Sequence, residues 1–252
     1  GGQCKNAGVF GGFDCRVSQP STPLLYIVCA DDYFLPGGLG TIMNKWNSRP
    51  STTSLLRFNW MKARYGTGKS ISYHVLPKCM GPEDSSFYFY LFGCIQGNLS
   101  NVSVRTSAIA STGKFNEQLP FAGDYEYWIR LGRENDFELV EDEVCFIRRH
   151  PGVASNYLNK NGELITQNTQ VRSSLFEDLQ DSYPKWLLRV HGTWRYLPMI
   201  EIALLRSLKG RRPDVLWTAL KQSKNPCMLF PIATFIIYLL SLGGRIGRHK
   251  ST

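Results

Sequence analysis

Leu24-Leu25-Tyr26-Ile27-Val28-Cys29-Ala30-Asp31-Asp32-Tyr33-Phe34-Leu35-Pro36-Gly37 is an apolar run that stops at two adjacent carboxylates and then enters an aromatic pair and a Pro-Gly turn. The run is short, nearly uncharged and bounded by turn residues, so it predicts a buried strand over 24–30. Open α/β sheets bind ligands outside the carboxyl ends of their strands. Two acids at that edge repel one another unless a cation offsets them. Asp31 and Asp32 therefore suggest a divalent-metal site for a phosphate-bearing ligand. The plainer alternative is that they start a turn and cap the next helix.

Working outward, 252 residues can bury a substantial core in one or two domains. Apolar residues at 43% and aromatics at 13% exclude a disordered chain. Seven scattered cysteines, none in a CxxC pair, favour reduced thiols over a disulfide framework or a zinc site. Two glycosylation sequons, at Asn98 and Asn101, accompany no sign of secretion and read as chance matches. The chain opens Gly-Gly-Gln-Cys, and no strand–turn–helix unit precedes the acids, which suggests an N-terminal truncation. The net charge is +9, and from Lys160 onward 14 Lys and Arg face 6 Asp and Glu. That excess points to an anionic membrane surface rather than nucleic acid, for which no motif is present. A merely solvated basic surface is the alternative.

Helices are predicted over 39–46, 82–92, 106–112 and 122–132, with strands over 53–60, 70–76, 101–105 and around 144–147. Tyr65 to Gly68 reads as the turn joining the strands at 53–60 and 70–76. From about Gln167 the pattern is helical, with candidates over 185–208, 213–222 and 226–242. The division falls near residue 160: residues 1–160 form a mixed α/β part and 161–252 a basic helical region.

Gly68-Lys69-Ser70 suggests a phosphate loop, but the earlier glycine that such a loop needs is Ala63, and a hairpin accounts for the glycines. Gly123-Asp124-Tyr125-Glu126 opens a helix. A carboxylate there is held as the anion and suits a general base; simple capping is the alternative. Asp124 and Glu126, two apart, diverge on the helix, so one pocket takes one of them. Arg148-Arg149-His150 ends a strand and turns at Pro151-Gly152, placing an imidazole where it can face metal or phosphate. Gly93 to Asn101 is a small-residue loop that lets backbone approach a ligand.

In order and spacing these segments resemble the catalytic domain of family 2 glycosyltransferases, which have the GT-A fold. The resemblance runs over about residues 5–160. It rests on Asp31-Asp32 with Leu35-Pro36-Gly37-Gly38-Leu39, Gly97-Asn98 with Arg105, Gly113-Lys114-Phe115-Asn116, Asp124-Tyr125-Glu126 with Arg130-Leu131, and Arg149-His150 with Ser155. It implies a three-layer α/β/α Rossmann-like sheet with its N-terminal part missing, followed by a helical tail. It also implies that Asp32, with Asp31 and His150, holds Mg²⁺ or Mn²⁺ against the diphosphate of a nucleotide-sugar donor, taken as a UDP-sugar. Asp124, with Glu126 as rival, becomes the base in an inverting displacement at the anomeric carbon. Gly97, Asn98, Arg105, Arg149 and Ser155 contact the donor or acceptor. The base segment reads Gly-Asp-Tyr-Glu where the family more often has Glu-Asp. The strand and helix that hold the nucleotide base in the family have no counterpart in this chain.

The apolar stretch 226–242 carries no charge and is followed by Arg245, Arg248, His249 and Lys250. At ~1.5 Å per residue it spans roughly 25 Å, short of the ~30 Å hydrocarbon core. It reads as an interfacial helix with basic anchors, in an enzyme peripherally attached to the cytoplasmic face of the membrane. The expected activity is sugar transfer to a cell-envelope glycan or lipid-linked acceptor. The alternatives are a catalytically silent sugar-nucleotide-binding module and a metal-dependent phosphohydrolase.

Overall fold

The computed structural model describes residues 22–62, 66–68, 76–148, 163–210, 214, 217–218, 221, 225–229 and 231–240. The chain has the expected mixed α/β class and divides into two compact units, one up to residue 150 and one from 151 to 250.

The first unit is built on a seven-stranded sheet. Its strands are β1 (Leu24–Tyr26), β2 (Tyr33–Phe34), β3 (Thr53–Lys62), β4 (Gly66–Gly68), β5 (Cys79–Met80), β6 (Val102–Arg105) and β7 (Asp136–Ile147). The order is β1-β6-β3-β7-β2, with β4 on β3 and β5 on β7. β3 and β7 run parallel; β6 runs antiparallel to both β1 and β3, so β1, β3 and β7 point the same way. Gly66–Gly68, expected as a turn, is a strand paired with Trp60–Lys62. Of the strand expected at 70–76, only Leu76 falls among the described residues, where it is a buried bend.

The strand expected over 24–30 is shorter. Its ladder ends at Tyr26, because the Cys29 amide donates to Ser100 Oγ (2.9 Å) instead of to a strand carbonyl. The chain then turns, with Asp32 N bonded to Cys29 O at 3.0 Å, and re-enters the sheet as β2 on the far side of β7.

Helix α1 (Gly38–Asn47) covers one face. Gly38, Ile42 and Trp46, four apart, form its buried stripe. They meet Leu56, Phe58, Val140, Val144, Cys145 and Ile147, and each large side chain contributes about 2–3 kcal/mol on burial. Gly38 is obligatory: a Cβ there would lie 2.3 Å from the Val144 carbonyl oxygen. On the other face lie α2 (Pro82–Phe92), α3 (Thr106–Thr112) and α4 (Gly123–Gly132), packed through Phe89, Tyr125 and Phe137. Residues 53–59 of β3 are buried on both faces, including Arg57 and Asn59.

The second unit holds α5 (Glu163–Leu179), α6 (Lys185–Gly210) and α7 (Pro231–Leu240). Its core includes Val171, Leu175, Phe176, Leu188, Tyr196 and Leu197, and the Tyr196 hydroxyl accepts from Thr169 Oγ1 at 2.7 Å. The segment Asn225–Leu229, expected to start a helix, instead lies beside α6: Arg189 Nε donates to Pro226 O (3.0 Å) and Leu229 N to Thr193 Oγ1 (2.9 Å). Pro231 stands first in α7, where proline is tolerated. Among the described residues no helix is long and apolar enough to cross a membrane.

Candidate functional site

The carboxyl ends of β1 and β7 come together with the start of β6. Asp32 Oδ1 accepts the backbone N–H of Arg148 at 2.9 Å, so the acidic turn and the residue that leads into Arg149-His150 are hydrogen-bonded. The neighbouring ties of this turn also go to β7: Tyr33 and Phe34 pair with Phe146 and Cys145, and Leu35 N donates to Val144 O at 3.0 Å. Asp31 and Asp32 are both partly exposed. Their charge is felt nearby. Burial pushes the Cys29 thiol up, the Ser100 hydrogen bond draws it back, and the two aspartates push it further up.

Asp124 lies in the first turn of α4, held in place from several sides. The Tyr125 hydroxyl donates to the Phe89 carbonyl at the end of α2 (2.8 Å), and Tyr127 stacks on Phe115 at 4.0 Å between centroids. The Asp124 carboxylate accepts the Tyr125 amide at 2.7 Å. Its side chain reaches solvent, yet its surroundings raise its pKa: burial dominates, and backbone hydrogen bonds only partly offset it. A carboxylate that is accessible but poorly solvated is a stronger base than one in water.

Glu126 has a different environment. Arg130, one turn on, pairs with it (Nε to Oε1 2.6 Å) and also donates to the carbonyls of Thr112 (2.5 Å) and Lys114 (2.7 Å). That arrangement fastens α4 to the end of α3 and the loop after it.

The loop 94–101 lies between the two acidic places. At one end the Cys94 thiol is raised first by burial and then by the Asp124 carboxylate. At the other, Ser100 Oγ accepts from Cys29, and the Tyr26 hydroxyl donates to Ser100 O. Between them Gly97 takes φ +72°, a left-handed value that glycine adopts without strain. Asn98 Oδ1 accepts Ser100 N at 2.8 Å, so this side chain shapes the loop. Gln96 is buried, and its carboxamide has no hydrogen-bond partner among the described residues.

Some expected site residues are not brought together. Arg105 is at the other end of β6, where its guanidinium donates to Thr53 O (2.7 Å) and Pro50 O (3.2 Å) and stacks over Trp46. These contacts give it a packing role at that end of the sheet. Arg149, His150 and Ser155 lie outside the described residues. Asn101, which sequence reasoning passed over, supports the loop from below. Its amide donates to Phe58 O (2.9 Å) and Gln96 O (3.1 Å), while Arg57 Nη1 donates to Asn59 Oδ1 (3.0 Å) and Asn59 to Glu141 O (2.8 Å). The signal for it is two polar residues, Arg57 and Asn59, inside an otherwise apolar strand run.

Among the described residues no three His, Cys, Asp or Glu side chains converge as a metal cage. Asp31 and Asp32 still fit a hard cation. Mg²⁺ commonly takes one or two carboxylates and completes its shell with water and substrate phosphate.

No protein-family model and no curated protein sequence matches the chain. Among solved structures it is similar to residues 1–349 of S. aureus TarS in complex with UDP, at 12% identity and TM-score 0.45, over 88% of this chain and 70% of that one. It is also similar to S. aureus TarS in a second crystal structure, at 12% identity and TM-score 0.43, over 85% of this chain and 42% of that one.

Proposed function

We propose that the chain carries the catalytic part of an inverting glycosyltransferase of the family 2 type, moving a sugar from a nucleotide-sugar, of the UDP class, to a cell-envelope glycan or lipid-linked acceptor at the cytoplasmic face of a membrane. The observation that carries this reading is the loop 94–101, which has Asp124 at one end and the approach to Asp31-Asp32 at the other. One loop thus spans a place for an anionic leaving group and a base for an incoming hydroxyl.

In this reading Asp124 takes the proton of the acceptor hydroxyl as its oxygen attacks the anomeric carbon. The bond from that carbon to the diphosphate breaks, and its electron pair leaves with the nucleotide. Asp31 and Asp32 would hold Mg²⁺ or Mn²⁺, whose charge stabilises the departing diphosphate. Gly97 lets the loop take its left-handed turn between the two places. Glu126 serves as structure, because its carboxylate is already paired with Arg130.

The test is the Asp124→Asn variant. Sugar transfer should fall by on the order of 10²–10⁴-fold, while metal-dependent binding of the nucleotide-sugar, read by calorimetry, persists. Binding with no turnover in the parent protein would favour a silent binding module instead. Phosphate release from simple esters would favour a phosphohydrolase.

A further inference from the structure

The second unit exposes large apolar side chains that its own core does not use. Trp186 is 66% exposed at the start of α6, with Leu187 open beside it, and Trp217 is 63% exposed. On α7, Ile236, Leu239 and Leu240 recur at the spacing of one helix face, and Leu240 is 74% exposed. The unit is also cationic: over residues 151–250, 14 Lys and Arg stand against 6 Asp and Glu. Lys221 Nζ sits over the Trp217 ring at 5.9 Å, so a cation accompanies this exposed indole.

We propose that this unit docks on an anionic lipid bilayer, with Trp186, Trp217 and the Ile236–Leu240 stripe entering the headgroup boundary and the lysines and arginines facing the phosphates. This deepens the membrane partner named above but stands apart from the sugar-transfer chemistry. Tryptophan favours the boundary between headgroups and hydrocarbon, where an apolar ring carries one polar N–H. Among the described residues no helix is long and apolar enough to cross a membrane, and the open face of α7 suits a helix lying in the boundary. A second copy of the chain is a poor occupant, because two faces of the same strong positive charge repel.

The test uses the full chain and vesicles of phosphatidylcholine with or without phosphatidylglycerol, in the absence of donor and metal. Co-sedimentation should require phosphatidylglycerol, weaken as salt rises, and shift tryptophan emission to the blue. The W186A/W217A pair and the I236S/L239S pair should each bind about tenfold or more weakly, as expected when inserted apolar area is lost. Their melting temperatures should stay near the parent's, since the side chains are exposed. Asp124→Asn should bind as the parent does, which separates this surface from the proposed chemistry. The proposal is overturned if anionic vesicles do not bind the parent, if both pairs bind like the parent, or if the patch proves to mediate self-association that W186A/W217A abolishes.

Discussion

Asp124 carries opposite consequences for catalysis and for stability. Its raised pKa means that the folded protein holds the carboxyl proton more tightly than the unfolded chain does. The associated stability is therefore complete below the ordinary carboxylate value of about 3.9 and is lost as pH climbs through the folded value. At neutral pH the ionised group burdens the fold, so Asp124→Asn should melt higher than the parent there and level with it in acid. In the proposed mechanism activity runs the other way: Asp124 must be ionised to act as base, so kcat should rise with pH through a midpoint above that ordinary value. A pH–rate profile and a melting series on the same two proteins check both signs. Glu126→Gln tests the rival. It removes a partly buried one-turn ion pair, so it should cost about 0.5 kcal/mol of stability or somewhat more and leave turnover within a few-fold of the parent. The sequence could show that the two acids diverge on α4. It could not show that Arg130 folds back to claim one of them, because that depends on the carbonyls of Thr112 and Lys114 lying within its reach.

Elements with strong local signals were legible. The helices over 82–92 and 106–112 agree with the structure residue for residue, since Pro82 opens one and glycines at 93 and 113 close both. β1 was read four residues too long. Nothing in Ile27-Val28-Cys29-Ala30 breaks a strand; the break comes from Ser100, more than 70 residues away, capturing the Cys29 amide. The surroundings of Arg105 were hidden for a related reason: residue type suggests anion binding, and only the register of β6 shows its guanidinium over Trp46. The close approach of α1 to β7 makes a prediction at this scale. Gly38→Ala must push the helix off Val144, and overpacking of this kind costs about 1–3 kcal/mol. Denaturant titration reads that loss, and Gly40→Ala, with open space around it, is the control.

Across the whole molecule, charge and chemistry are segregated. The candidate catalytic residues belong to the sheet unit, while the cationic excess belongs to the helical one. Salt should therefore act on delivery more than on the reaction step. Raising ionic strength should lower the rate on an acceptor displayed in anionic vesicles well before it lowers the rate on a soluble acceptor fragment, because surface attraction fades beyond about a Debye length. Parallel assays on the two acceptors check this. The mixed α/β class and the order of the acidic segments were readable from composition and spacing. The exposed tryptophans of the helical unit were not, since an exposed Trp186 and a buried Trp128 look alike until packing decides between them.

The acidic turn follows β1 in sequence, but Asp32, Tyr33, Phe34, Leu35 and Gly38 all rest on β7. Fluctuations that peel β1 from the sheet thus leave the carboxylates in place, whereas any event that displaces them must open a strand running through the middle of the sheet. The pair shares the slow breathing of the protein's interior, so the proposed cation site would keep its shape without help from a ligand.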